Sequence, residues 1–228
     1  MPRVPVKLVS WEEIVEWSRL LARKIKESGY RPTVIVAVAR GGYVPARLLA
    51  DFLNVSNMLS IQSQHWTEAA KAAERAILKF PYTVDLRGHR VLLVDDIVDT
   101  GETLLLARDY IAEHWRPDEI RLAALQWISP VAKFKPDYYQ MEVKEWVWFQ
   151  YPWTRLEDVT QFIKRMLLES SKETGRSEWS YEEIKEMFKE WYGIEVEEFY
   201  YHDALELLEE HGVVERLPNG RYRLRKQD

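Results

Sequence analysis

Three carboxylates crowd one short stretch, VLLVDDIVDTGET at residues 91–103. Asp95 and Asp96 close an aliphatic run, Asp99 follows, and Thr100-Gly101-Glu102-Thr103 stands where a helix should begin. Backbone N–H groups at a helix start point outward, and the helix dipole favours an anion there. Glycine admits close backbone approach, and the threonines add hydroxyl donors. Residues 99–103 therefore read as a phosphate cradle. Asp95 and Asp96 would repel a phosphate they faced, so they need another target on the same ligand. The hydroxyls of a vicinal diol and a hydrated Mg²⁺ both suit a carboxylate. A sugar phosphate with a diol and a metal satisfies every group in the loop. The competing account is structural, since Asp also favours turns and helix N-caps.

The elements that must hold this loop can be read on either side of it. Ser10-Trp11-Glu12-Glu13 is a capping-box start for a helix running to about Ser28. Thr33–Ala39 and Arg90–Val94 are short and apolar on both faces, as buried parallel strands are. Arg40-Gly41-Gly42 is a turn, Val44–Leu53 a helix, and Met58–Gln62 a further strand. Residues 64–85 are less regular: their Ala-rich centre favours helix, Pro81 breaks it, and an insertion here suits a mobile flap. A helix over Thr103–Trp115, a strand over Ile120–Trp127, and short strands at Tyr138–Met141 and Glu145–Gln150 follow. The alternation predicts an α/β fold, an open, mostly parallel twisted sheet flanked by helices. Such sheets bind ligands at the carboxyl ends of their strands, where Arg40–Gly42 and Asp95–Thr103 both fall.

Composition narrows the class. The 228 residues are 46% hydrophobic and contain no cysteine, which excludes disulfides and thiolate metal sites. No apolar leader or membrane-length run is visible, and a cytoplasmic location is expected. Residues 1–155 carry 21 basic and 19 acidic side chains, whereas residues 156–228 carry 11 and 18. That shift predicts a catalytic domain over 1–155 and a second domain over 156–228. Neither part has the basic balance of a nucleic-acid binder. Many charges and few asparagines point to a warm-living source. His65, His89, His114, His202 and His211 show no metal-ligand spacing and read as surface or core residues.

The stretch 91–103 resembles the phosphoribosyl-pyrophosphate (PRPP) signature of type I phosphoribosyltransferases: four apolar residues, two acids, then D-T-G-x-T. The resemblance implies that Asp95 and Asp96 hold the ribose hydroxyls, that Asp96 also reaches Mg²⁺ directly or through water, and that Asp99, Thr100, Gly101, Glu102 and Thr103 hold the 5′-phosphate. AVARGGYVPARLLA at 37–50 resembles the pyrophosphate loop of the xanthine-guanine type, which would give that role to Arg40 and the N–H groups of Gly41 and Gly42, with a cis peptide at Ala39–Arg40. The implied partners are PRPP, a purine base, pyrophosphate and a nucleoside monophosphate, with Mg²⁺ as cofactor. The expected assembly is a homodimer or higher homo-oligomer. The resemblance covers roughly residues 8–155. It also places Asp99 near N7 of the purine, as a catalytic proton shuttle.

The base should rest on an aromatic ring. WVWFQYPW at 146–153 resembles the W-I-E-Q-P-W segment of the xanthine-guanine enzymes and makes Trp148 the stacking residue, with Trp146 and Trp153 assigned to core or interface. Enzymes for 6-oxopurines usually carry a lysine before a proline after the strand that here ends LQWISP; this chain has Ser129 before Pro130. An ammonium has only donors, while a serine can accept from the 6-amino group of adenine. Adenine is therefore the expected base, as in an archaeal adenine phosphoribosyltransferase, with a 6-oxopurine as the alternative. Lys133 or Lys135 could still serve O6. Where the family often has Ser-Tyr in the flap, this chain has Ser63-Gln64, and no flap role is assigned.

Beyond residue 155 the pattern becomes helical: Leu156–Glu173, a capping-box start at Ser180–Glu183, then about Phe199–His211. Two short runs around Asn219-Gly220 predict a hairpin, and the whole suggests a small winged-helix-like module. A PRPP-sensing transcriptional regulator is thus a second alternative. The helix in the recognition position carries Asp203, Glu206, Glu209 and Glu210 and no Lys or Arg, which disfavours DNA. Arg221, Arg223 and Arg225 alternate on the wing and leave weak contacts open, while dimerisation or shielding of the active site is the expected role.

Overall fold

In the computed structural model, which describes residues 3–67 and 74–225, the elements run in the following order. They are β1 (Val6–Leu8), α1 (Trp11–Glu27), β2 (Val34–Ala39), α2 (Tyr43–Leu53), β3 (Met58–Thr67), β4 (Glu74–Lys79), β5 (Arg90–Val98) and α3 (Glu102–His114). Then come β6 (Glu119–Ile128), β7 (Tyr138–Val143), β8 (Trp148–Gln150), α4 (Arg155–Thr174), β9 (Glu178–Trp179), α5 (Tyr181–Tyr192), α6 (Glu198–Glu210), β10 (Val214–Arg216) and β11 (Tyr222–Leu224). The chain divides into two compact units, Trp11–Trp146, and Met1–Ser10 with Val147–Asp228.

The first unit is built on a six-stranded sheet of order β4-β3-β2-β5-β6-β7. Every neighbouring pair is parallel except β3 with β4. All six residues of β2 are buried, because helices cover both faces of the strand and leave no place for a polar side chain. On one face Val34, Val36, Val91 and Leu93 meet Leu104, Ala107, Ile111 and Trp115 of α3 and its end. Helix α1 buries Ile14, Trp17, Ser18, Leu21, Ala22 and Ile25, a stripe at helical spacing. Full burial of one Leu or Ile is worth about 1.5–3 kcal/mol, so this stripe anchors the helix.

The sheet's order carries the functional consequence. From β2 the chain steps outward to β3 and β4, then crosses back to place β5 on the other side of β2. Between β2 and β5 the direction of winding reverses, and a crevice opens at the carboxyl ends of those two strands. Ala37 pairs with Val94 there, so the two following loops leave the sheet side by side.

Two expectations need revision. The Ala-rich preference for helix fails at Glu74–Lys79, which is a strand, because pairing with β3 through registers such as Leu78 with Ser63 outweighs propensity. Residues 68–73, the rest of the Ala-rich stretch and part of the flap, lie outside the described residues. Strand β5 does not stop at Val94 but continues through both acids to Val98, because β6 supplies partners as far as Trp127. The compact units meet at Ser10/Trp11 and at Trp146/Val147. Strand β1, not anticipated, pairs in parallel with β8, so both ends of the division share one small sheet.

The second unit holds α4, α5 and α6 around a core that includes Phe162, Phe188, Trp191, Tyr192, Tyr201 and Leu205. Its three-stranded sheet has the order β10-β11-β9, with antiparallel pairing throughout. Helix, strand, two helices and a hairpin make the winged-helix-like arrangement expected from the sequence. Ser180 closes the start of α5 with a full capping box: its hydroxyl accepts from Glu183 N, and the Glu183 carboxylate accepts from Ser180 N.

Candidate active site

Asp95 and Asp96 follow the buried aliphatic run of β5, and with Ile97 and Asp99 to Leu104 they line a cavity of about 320 Å³. Each acid is tethered to the next amide. Asp95 Oδ1 accepts from Asp96 N at 2.9 Å, and Asp96 Oδ1 accepts from Ile97 N at 2.8 Å. Asp96 is only 9% exposed. Burial, and then the negative charge of Asp96 alongside, pushes the Asp95 carboxyl well above the usual carboxylate range. Asp95 keeps some exposed surface as a residue, yet its carboxyl group is poorly solvated. Two neighbouring acids held this way are unfavourable unless a cation or several donors meet them, which makes the pair a marker of a binding site.

The partner loop lies against them. The Ala39–Arg40 peptide is cis, as the resemblance implies. A Cβ on Gly41 would fall 2.2 Å from Asp96 Oδ2, so the Arg40-Gly41-Gly42 turn and the acidic pair share one wall. Gly42 is required for a different reason. A Cβ there would meet the carbonyls of Val94 at 2.4 Å and Val38 at 2.6 Å, at a backbone φ any residue tolerates. Its N–H donates to the Val38 carbonyl at 2.8 Å. The expectation that this amide serves a pyrophosphate is therefore not met in this conformation; Gly42 acts by being small. Arg40 is exposed at the mouth of the loop.

The phosphate cradle is held from a direction the sequence does not announce. Gly101 caps α3 with φ +84°, a left-handed conformation that favours glycine, and no side chain caps the helix start. A Cβ on Gly101 would also fall 2.4 Å from the Phe134 ring. Lys133 N donates to Thr100 O at 3.0 Å, and the Lys133 ammonium pairs with the Glu102 carboxylate. So the β6–β7 loop braces residues 100–102 and neutralises an acid that would otherwise stand beside an anion. Thr100 Oγ1 accepts only a long contact, 3.4 Å, from Glu102 N. Asp99 is exposed at the rim. Lys133 and Phe134 as a brace escape sequence reasoning, because they lie some thirty residues away on an irregular loop.

The residues expected at the base are placed as follows. Ser129 follows β6; its N–H donates to Val143 O at 3.1 Å, and its Oγ stands 3.5 Å from the same carbonyl. That last distance is at the limit of a hydrogen bond, so the hydroxyl remains available to a ligand. Lys135 lies over the rings of Trp127 and Tyr139, at 5.6 and 5.3 Å. Trp148, in the second unit, packs edge-on against Phe162 with centroids 5.4 Å apart. Trp153 stacks flat on Tyr151 at 4.7 Å, and Trp146 is exposed. The described histidines make ordinary contacts: His89 Nδ1 lies 3.1 Å from Thr33 Oγ1, and His114 and His202 stack on Tyr110 and Tyr181. Among the described residues no group of three or more His, Cys, Asp or Glu forms a metal cage.

An acidic pair against a glycine turn, over a helix start left uncapped and braced from behind, can hold a diol and two anionic groups in one crevice. Residues 8–157 match the model of the phosphoribosyl transferase domain. The chain belongs to the phosphoribosyltransferase family. Members of this family are pentosyltransferases, and the relatives matched here are of the purine type. The chain is 32% identical over 149 residues to a xanthine-guanine phosphoribosyltransferase of Nitratidesulfovibrio vulgaris, covering 64% of this chain and 82% of that protein. It is 31% identical over 154 residues to the xanthine-guanine phosphoribosyltransferase of Cereibacter sphaeroides, covering 64% and 84%. Among solved structures it resembles a purine phosphoribosyltransferase from Pyrococcus horikoshii, with 30% identity and a TM-score of 0.57, over 66% of this chain and 94% of that one. The match of the phosphoribosyltransferase model ends at residue 157, so most of α4 and everything after it lies outside. No helix among the described residues is long and apolar enough to cross a membrane.

Proposed function

We propose that the chain transfers the 5-phosphoribosyl group of PRPP to a 6-oxopurine, releasing pyrophosphate and forming a nucleoside 5′-monophosphate. The observation that carries this reading is the seat of the Asp96 carboxylate against Gly41 at the sheet's switch point, which puts diol acceptors beside a loop suited to pyrophosphate. In the reaction a purine ring nitrogen bonds to C1′ as the C1′–O bond to pyrophosphate breaks, and Asp99 takes the proton the ring gives up. Asp95 and Asp96 accept from the ribose hydroxyls and offset the positive charge that grows on the sugar. Arg40 stabilises the departing anion. The amides and hydroxyls of residues 100–103 hold the 5′-phosphate. The catalytic part in this reading is residues 1–155, with 156–228 appended, and the working form is a homodimer or higher oligomer in the cytoplasm.

The donor set fits Mg²⁺. Asp96 supplies a hard oxygen next to a second carboxylate that lacks solvation, and Mg²⁺ usually completes its shell with water and substrate phosphates rather than a protein cage. When bound, the ion supplies charge neutralisation at the pyrophosphate.

The choice of base reverses the expectation drawn from Ser129. The relatives named above act on xanthine and guanine, and serine is permissive rather than selective: its hydroxyl donates as readily as it accepts. Lysine would exclude adenine, whereas serine at 129 merely fails to. We therefore assign a 6-oxopurine as the preferred base, with narrowed discrimination against adenine. The test is a panel of guanine, xanthine, hypoxanthine and adenine with PRPP and Mg²⁺, reading pyrophosphate and nucleotide. Turnover fastest with a 6-oxopurine is expected; adenine as the best substrate overturns the choice of base, and no turnover with any purine overturns the reaction. Ser129→Lys should raise the ratio of 6-oxopurine to adenine turnover by about tenfold, the worth of one charge-assisted contact.

The regulator reading loses support at the wing. Arg223 pairs with Glu178 and Glu215, Arg221 pairs with Glu183, and Asp203, Glu206, Glu209 and Glu210 are all exposed on α6. Phosphate contacts need uncompensated cations, and these are internally neutralised.

A further inference from the structure

The second unit contains a cavity of about 700 Å³, larger than the one at the acidic loop and lined wholly by residues of α4, α6 and their flanks. Its chemistry is asymmetric. Trp153, Tyr200 and Leu208 supply apolar wall, and Trp153 is held by parallel stacking on Tyr151. Arg155 and Lys164 supply two cations, against one carboxylate, the exposed Glu157.

Arg155 is the informative residue. It is 9% exposed, and its Nε has no hydrogen-bond partner. One Nη donates to the Val9 carbonyl at 2.7 Å, and the other lies 3.7 Å from a Glu197 carboxylate that is itself 58% exposed. The Tyr200 ring sits 5.7 Å from the guanidinium. A guanidinium this deeply buried normally carries a close, bidentate carboxylate, because an uncompensated charge away from water is costly. Here the nearest acid is loose, Nε is enclosed without an acceptor, and the Arg155 side chain lines the cavity. The missing partner is an anion, and the aromatic wall beside it suits a flat ring.

We propose that this cavity is a binding site for a small planar molecule carrying one anionic group, a carboxylate or a phosphate. Trp153 and Arg155 fall at the end of the segment matched by the family, while Lys164, Tyr200 and Leu208 lie beyond it; the site does not depend on the transferase reading, so its failure would leave that reading intact. The test uses 8-anilinonaphthalene-1-sulfonate, a planar anion, titrated against the full chain by fluorescence, with the neutral N-phenyl-1-naphthylamine as control. Saturable one-to-one binding is expected, at least about tenfold tighter for the anion than for the neutral ring, as one charge-assisted contact implies. Lys164→Gln, on the cavity rim, should weaken the sulfonate about tenfold and leave the neutral ring unchanged. Arg155→Met should do the same, but Arg155 also holds the Val9 carbonyl, so Lys164→Gln is the deciding variant. Displacement by guanosine 5′-monophosphate would mark the natural ligand class as a nucleotide, and displacement by salicylate as an aromatic carboxylate. Equal binding of the neutral ring, no effect of Lys164→Gln, displacement by neither competitor, or loss of binding as the protein self-associates would each overturn the proposal.

Discussion

Two helix starts in this chain are built in opposite ways. At α5 the Ser180 hydroxyl and the Glu183 carboxylate satisfy each other's backbone donors, and Arg176 and Arg221 pair with the same acid. At α3 the N-cap is Gly101, which turns left-handed and has no side chain to cap with; Glu102 N reaches the Thr100 hydroxyl only at 3.4 Å, and residues 99–104 line a cavity. The carboxylates follow suit. Hydrogen bonding from the Ser180 amide, and then Arg176, pulls Glu183 down to about 2, while burial and Asp96 push Asp95 up. Both are acids close to a helix start. One is satisfied within the fold, and the other is left in want of a ligand. Stability and function thus draw on the same groups with opposite sign, and the region that is incomplete by itself is where binding belongs.

The sharpest way to break the contrast is Asp96→Asn. The acidic pair should lose its hold on the diol and the metal, and kcat/KM with PRPP should fall about 100-fold, the loss expected for a charge-assisted hydrogen bond, with unfolding unchanged or slightly delayed. Steady-state kinetics alongside thermal melting would check it; unaltered kinetics would remove Asp96 from the site. Next in size, Ser180→Ala should cost about 1 kcal/mol of stability with no change in turnover. The pH dependence follows from Glu183. Its carboxylate is held below the unfolded value, so its contribution is present above about pH 4.5 and is lost as pH falls toward about 2. The wild-type advantage over Glu183→Gln in chemical denaturation should shrink across that window.

The smallest effect is the most diagnostic. Asp95 binds its proton more tightly when folded than when unfolded, so the wild type loses stability as pH rises above the unfolded value of about 3.9 toward the raised folded one. Asp95→Asn does not suffer this loss. The variant should melt higher than wild type at neutral pH, with the gap closing toward pH 4, and should be poorly active. A variant less stable than wild type at pH 7 would mean that Asp95 already has its partner inside the fold.

Much of the site was legible before any coordinates. The run of buried aliphatics into Asp95 and Asp96, the glycine turn after β2 and the D-T-G-x-T loop are local patterns, each dictated by backbone rules that act over a few residues. The capping box at Ser180 and the hairpin at Asn219-Gly220 were readable for the same reason. The strand at Glu74–Lys79 was not, because an Ala-rich stretch prefers helix until a neighbouring strand offers it a ladder. Nor was the reach of β5 through the acids, which depends on β6 continuing beside it. Ser129 by itself does not choose between bases, because its hydroxyl can both donate and accept.

From the order of residues alone came the candidate groups and the family, because the motifs that carry them are short and contiguous. Which groups share a wall was decided only by the tertiary structure. The Gly41–Asp96 contact, the Phe134 ring under Gly101, the Lys133–Glu102 pair and the incompletely paired Arg155 each join residues from separate segments of the chain. Their meeting depends on strand order and helix packing, which are properties of the whole chain and not of any window within it.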